Sequence, residues 1–261
     1  MRDDYAPLAR TYDQMARAPE YERMYRHWRR TLLDAARRRG VRVRVLVDLC
    51  CGTGNSTIPW TRRRGLTVIG VDRSPSQLRE ARRKSRAVRW VRQDVTKLAL
   101  RCQADAVTSH FDALNHLLTP RALGRAFANV AGILNDGGLF VFDLNTSHML
   151  EWLRGREKMF AVGPHVFMAS NTLDERTGIA TFHQTWFVKH GRSYVRRDVR
   201  VRERAYTDRE VIDLLGAAGL RLVETNVQVS IEGKPSRKVY VAQKTVARAA
   251  RVTARRSSPG C

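Results

Sequence analysis

The sequence predicts an α/β protein, a mostly parallel sheet with helices on both faces into which an antiparallel β segment is inserted. Three observations lead there. An apolar run at residues 43–49 stops at a small-residue turn, Cys50-Cys51-Gly52-Thr53-Gly54-Asn55-Ser56-Thr57, as a buried strand feeding a tight loop does. Strand and helix patterns then alternate as far as Leu144, which builds right-handed βαβ units and puts ligands at the carboxyl ends of the strands. From Glu151 to Tyr206 the pattern becomes the two-residue alternation of antiparallel strands.

The glycine turn carries the most chemistry. Gly52 and Gly54 permit unusual dihedrals and let a ligand approach the backbone without a Cβ in the way. Asn55, Ser56 and Thr57 are placed to cap a following helix, whose first amides would point at the loop. A dinucleotide site requires Gly-x-Gly-x-x-Gly. Thr57 stands at the third position, and no Gly-Lys-Ser/Thr follows to make a phosphate loop. What remains is Asp-x-x-x-Gly-x-Gly, beginning at Asp48.

Ahead of this strand, apolar and aromatic residues at helical spacing (Tyr5, Leu8, Tyr12, Met15, then Tyr21, Met24, Tyr25, Trp28) predict two helices separated at Ala18-Pro19. After it, residues 66–71 form a second strand ending in Asp72. That lies about 20 residues beyond Gly52, where a carboxylate reaches the ribose of a nucleoside held by the neighbouring strand. Ser74-Pro75 starts a helix with a capping serine and proline in its first turn. Residues 88–93 are a third strand closed by Asp94-Val95, and residues 105–109 a fourth, ending at Ser109 and followed by the loop from His110 to Leu118. Thr119-Pro120 opens a helix, Asp136-Gly137-Gly138 is a turn, and residues 139–144 are the fifth strand. Past the antiparallel segment, Thr207-Asp208 caps a last helix. Residues 220–229 and 238–244 then pair through a turn at Glu232-Gly233-Lys234-Pro235.

Bulk composition narrows the function classes. The 261 residues suit one large domain, and no apolar stretch approaches the ~18 residues of a membrane span, so no membrane partner is expected. The start, Met-Arg-Asp-Asp-Tyr-Ala-Pro, lacks the apolar centre of a signal peptide, and a cytoplasmic location is expected. Cys50 and Cys51 are adjacent and Cys102 and Cys261 isolated, so neither a disulfide framework nor a metal site is expected. The net charge of +23 invites an RNA partner. Arginine is nevertheless scattered through nearly every segment, as at Arg37-Arg38-Arg39 and Arg62-Arg63-Arg64, which fits solvated helix faces better than one binding stripe. Residues 245–261 are basic, lack aromatics and read as a disordered tail.

The motif from Asp48, with Asp72, Asp94 and the Asp136-Gly137-Gly138 turn, resembles the class I S-adenosylmethionine (SAM)-dependent methyltransferases over residues 43–244. Cys50 departs from the glycine usual there. The resemblance implies a Rossmann-like seven-stranded sheet with a reversed last strand, and SAM held by Asp48, Cys50, Gly52, Gly54, Asp72, Asp94, Val95 and Ser109. It further implies helices over residues 1–40 capping a methyltransferase domain at 41–244, with the insertion at 151–206 roofing the substrate as in the small-molecule branch of sugar-amine and glycine N-methyltransferases. Tyr12 would line the reaction chamber and His116, after the fourth strand, would serve as general base. His110 and Asp112 in the same loop, and His183 and Trp186 on the roof, are the candidate substrate contacts. A small-molecule acceptor of a methyl group on N or O is implied, in a monomer or homodimer. RNA or protein methylation on the basic surface is the alternative.

Overall fold

The computed structural model describes residues 19–246 together with Ala9, Thr11, Asp13 and Ala16. Tyr12 and the tail beyond residue 246 lie outside the described residues. In chain order the elements are α1 (Pro19–Arg38), β1 (Val45–Leu49), β2 (Thr67–Asp72), α2 (Pro75–Lys84), β3 (Arg89–Arg92), β4 (Ala104–Ser109), α3 (Pro120–Ile133) and β5 (Leu134–Asn145). There follow α4 (Ser147–Leu153), β6 (Glu157–Val162), β7 (His165–Asp174), β8 (Ile179–His190), β9 (Ser193–Arg204), α5 (Asp208–Ala217), β10 (Leu220–Ile231) and β11 (Lys234–Lys244). Short 3-10 turns at Ile58–Arg62, Val95–Lys97 and Ala113–His116 follow β1, β3 and β4.

Local chemistry sets the helix starts. The Ser74 hydroxyl accepts from Gln77 N at 3.1 Å with Pro75 behind it, and Thr119 accepts from Ala122 N at 3.2 Å ahead of α3. Thr207 and Glu210 close a reciprocal capping box on α5. The glycine turn departs from expectation. A 3-10 turn follows it, and the Ser56 and Thr57 hydroxyls donate to Asp48 instead of capping a helix. A second departure is at Asp136-Gly137-Gly138, where β5 begins directly at Leu134 and the glycines lie within the strand.

Seven strands form one sheet in the order β10-β11-β5-β4-β1-β2-β3. The run from β5 to β3 is parallel, and β11 enters it antiparallel to β5. Leu49 lies beside both Val71 and Ser109 in this register, so the loops after β1, β2 and β4 leave the sheet together. Gln93 N bonds to Asp72 O at 3.1 Å, which carries the same edge on to β3.

Two apolar clusters sandwich the sheet. On one face Leu123, Phe127 and Val130 of α3 and Val211 and Leu215 of α5 meet Phe140, Phe142 and Tyr240. On the other, Trp28 and Leu32 of α1 pack with Trp60, Val68, Val141 and Val239. Strands β6–β9 make a second, antiparallel sheet around Phe167, Trp186, Val199 and Val201. Among the described residues no helix is long and apolar enough to cross a membrane.

Phe140 is fully buried and contacts the Phe127 and Phe142 rings, with centroids 5.9 and 4.6 Å away. Phe140→Ala should therefore lower stability by about 3–5 kcal/mol, read as a reduced urea midpoint with an unchanged slope.

Candidate active site

The shared edge of β1, β2, β3 and β4 opens into a cavity of about 880 Å³. Its wall includes Cys50 to Thr53 after β1, Asp72 to Pro75 after β2, and Asp94 to Lys97 after β3. His110, Phe111, Ala113, His116, Leu117 and Leu118 after β4 close the other side.

The glycine loop is shaped by two carboxylates. Asp48 is buried at the end of β1 and accepts the Ser56, Thr57 and Thr108 hydroxyls at 2.8, 2.5 and 2.7 Å. Burial raises its pKa, and these three bonds oppose the rise. Asp72 then accepts Gly52 N and Ser74 N, each at 2.8 Å, so one carboxylate fixes the first and second loops against each other. Cys50 and Gly52 both have φ of 54°, and Gly54 has 83°. A Cβ on Gly54 would lie 2.4 Å from Trp90 Cη2, and one on Gly70 2.4 Å from Trp90 Cζ3. The second glycine is thus required by Trp90, whose indole N–H donates to Ser85 O at 2.9 Å. Gly70 and Trp90 were not legible as a pair, since a glycine in a strand and a tryptophan twenty residues on carry no joint signal.

Cofactor candidates divide by position. Cys50, Gly52, Asp72, Asp94 and Val95 line the cavity, whereas Asp48, Gly54 and Ser109 do not. Asp48 and Gly54 shape the loop from behind, and Ser109 is buried beside Cys50. Burial, reinforced by Asp72, pushes the Cys50 thiol up to about 12, so it presents a neutral wall. Asp94 accepts Thr96 N and Thr96 Oγ1 at 2.8 and 2.7 Å, both on Oδ1, and Oδ2 makes no hydrogen bond among the described residues. Two carboxylates at successive strand ends, a glycine-bearing loop beside them and the apolar Val95 fit an adenosine-containing cofactor.

On the far side His116 Nδ1 lies 3.0 Å from the Arg202 carbonyl of β9. A carbonyl only accepts, so Nδ1 carries the hydrogen and Nε2 is the bare nitrogen. Burial lowers the His116 pKa, outweighing Asp112 and the Arg202 carbonyl. His110 is buried, stacked on Trp28 with centroids 4.4 Å apart, and burial holds its pKa down to about 3. Asp112 is drawn away from the cavity wall. Arg237 of β11 pairs with Asp112 and with Asp143 of β5, both at 3.0 Å, and Asn145 donates to Asp112 and Glu203 at 2.9 Å each. This network of buried polar residues was missed by the sequence reading; its signal was Asp143 and Asn145 in an otherwise apolar strand.

The expected roof contacts are not brought to the cavity. Trp186 is buried among Phe167, Val199 and Val201 within the second sheet, and His183 is exposed on that sheet's other face. Among the described residues no cavity-lining side chain comes from β6–β9. That sheet reaches the site through the backbone, by Arg202 O on His116 and by Arg204 O, which accepts Asn115 Nδ2 at 2.9 Å.

Residues 46–138 match the family model described as a methyltransferase domain. Over these residues the chain is similar to that domain. A dTDP-3-amino-3,4,6-trideoxy-alpha-D-glucopyranose N,N-dimethyltransferase from Streptomyces venezuelae is 30% identical over 112 residues, 43% of this chain and 47% of that protein. The chain spans about half the length of the curated relatives it matches. A SAM-dependent methyltransferase from Clostridium acetobutylicum has the same fold, with a TM-score of 0.81 and 24% identity over 93% of this chain and 99% of that one. The sugar N-methyltransferase KedS8 from Streptoalloteichus sp. superimposes with a TM-score of 0.77 at 20% identity, covering 90% and 93% of the two chains. The fold around residues 46–138 is therefore the one that these methyltransferases have.

Gly54→Ala should strain a left-handed residue and force Trp90 aside. The expected result is loss of stability by about 1–3 kcal/mol in chemical denaturation, accompanied by weaker cofactor binding in calorimetry.

Proposed function

We propose that this protein uses SAM to methylate the nitrogen of a small-molecule amine, and that amino sugars are the acceptor class to test first. The observation that carries the reading is the two-sided cavity. One side has the glycine loop with Asp72 and Asp94, and the other has two imidazoles, the buried His110 and the half-buried His116, whose pKa values are both lowered. SAM, bound to the first side, supplies an electrophilic methyl group. Asp72 then accepts from the ribose hydroxyls and Asp94 from the adenine amine. The Cys51–Thr53 backbone accommodates the amino-acid end.

The chain's task in methyl transfer is to hold a nucleophile in line, keep water out and accept a hydrogen. An attacking amine must be neutral to offer its lone pair. His116, with Nε2 bare, is the hydrogen acceptor for it. In this reading residues 41–244 form the catalytic domain, and the 151–206 insertion acts by fixing His116 through β9. Amine transfer is favoured over oxygen by the amino-sugar N-methyltransferases among the relatives. The charge of +23 does not redirect the reading to RNA, because arginines lie on many separate faces.

Calorimetry should detect SAM and its demethylated product, and Asp72→Ala should weaken both by at least about tenfold, a loss of ~1.4 kcal/mol. Across a panel of amino sugars, amino acids, phenols and RNA, turnover should appear with amines. His116→Ala should lower it about 10²-fold with SAM affinity intact. Turnover confined to RNA would reject the small-molecule reading.

A further inference from the structure

His110 and Asp143 share a geometry that the reading above does not use. Asp143 is fully buried on β5. Its Oδ2 accepts Asp112 N and Arg237 Nη1, both at 3.0 Å, which fixes the carboxylate plane. The remaining oxygen, Oδ1, is sealed from solvent without a partner, and so is Nδ1 of His110. The two atoms face each other across 3.9 Å. Buried polar atoms left unsatisfied are costly, and these two face each other. The ring cannot swing elsewhere, since Trp28 lies parallel to it at an interplanar angle of 6°.

The backbone here is also held in an uncommon state. Phe111 and Asp112 are consecutive non-glycine residues with φ of 59° and 48°. Such a pair persists only where surrounding contacts over-determine it. The Asp143 carboxylate supplies them, taking the Asp112 N–H while Arg237 bridges it to the Asp112 side chain. The strained turn directly follows His110, so the same carboxylate that holds the turn faces the imidazole.

We propose that Asp143 is a positioning residue that takes the Nδ1 hydrogen of His110, leaving His110 Nε2 bare toward the cavity as a catalytic hydrogen-bond acceptor for the attacking amine. The proposal rests on the methyltransferase reading. In the transfer step the amine lone pair forms the N–C bond as the methyl–sulfur bond breaks and its electron pair goes to sulfur. One amine N–H is held by His110 Nε2, and the proton of the resulting ammonium leaves to solvent. A neutral acceptor suits this place, because an imidazolium would repel both a sulfonium and a developing ammonium. Burial and then His27 of α1 disfavour charge on His110, while Arg237, the Asp112 carboxylate and the backbone of Phe111 and Asp112 face Asp143. Burial raises the Asp143 pKa to about 6, with Arg237 opposing, so the carboxylate is ionised at neutral pH.

The first test needs no substrate. In histidine-¹⁵N-labelled full-length protein, His110 should read as the neutral Nδ1–H tautomer between pH 7 and 8, and Asp143→Asn should change its tautomer or shift. An Nε2–H tautomer, or titration near the ordinary histidine value, would overturn the pairing. Two variants then test the role. His110→Phe keeps the ring stack and should lower kcat about tenfold or more, with acceptor KM and binding of the demethylated cofactor within twofold. His110→Gln, which retains an acceptor oxygen, should recover part of the loss. An unchanged kcat in His110→Phe would reject the acceptor role. A wild-type protein that binds no SAM would instead reject the methyltransferase reading, with the tautomer still testing the pair.

Discussion

The carboxylate of Asp48 is the interaction on which the cavity depends. It ends β1 inside the sheet, where an isolated charge is costly, and three hydroxyls, two from one turn and one from a neighbouring strand, compensate it. Two of them, Ser56 and Thr57, belong to the turn that carries Gly52 and Gly54, and the third, Thr108, belongs to β4. The turn therefore cannot move without exposing a buried charge. Asp72 repeats the device one strand over, binding Gly52 N and Ser74 N together. A floor assembled in this way is preorganised before any ligand arrives.

The acidic residues explain how so basic a chain keeps an ordered interior. Asp48, Asp72, Asp94 and Asp105 each receive donors from loops or strand starts, and Asp143 and Glu203 lie in the network around Arg237. Burial, followed by repulsion from Asp112, raises the Glu203 pKa well above its ordinary value. These acidic side chains are thus committed to internal bonds while many arginines among the described residues remain exposed.

The second sheet influences the site without lining it. Most of its side chains pack on one another around Trp186, and its influence passes through main-chain carbonyls at the end of β9 and through the Glu203 carboxylate, which accepts from Asn145. Asn115 is clamped between Arg204 O and the Asn145 backbone, so the turn bearing His116 is fixed by β5 and β9 jointly. An amphipathic alternation reveals that strands exist. It does not reveal whether their apolar face covers a ligand or another strand.

The sequence by itself determined the parallel sheet, the helix starts at Ser74, Thr119 and Thr207, and the cavity edge marked by Gly52, Asp72 and Asp94. Each of these follows from local chemistry: period, capping, φ freedom, and carboxylates placed just past apolar runs. Only the tertiary structure decided that Asp48 is a brace behind the loop, that Gly54 and Gly70 make room for Trp90, and that Trp186 is core. It alone showed Asp112 turned toward Arg237, 125 residues away. These outcomes depend on which side chains meet across distant strands. Hydrogen-bond partners and close packing are set by that meeting, and no spacing within one segment encodes it.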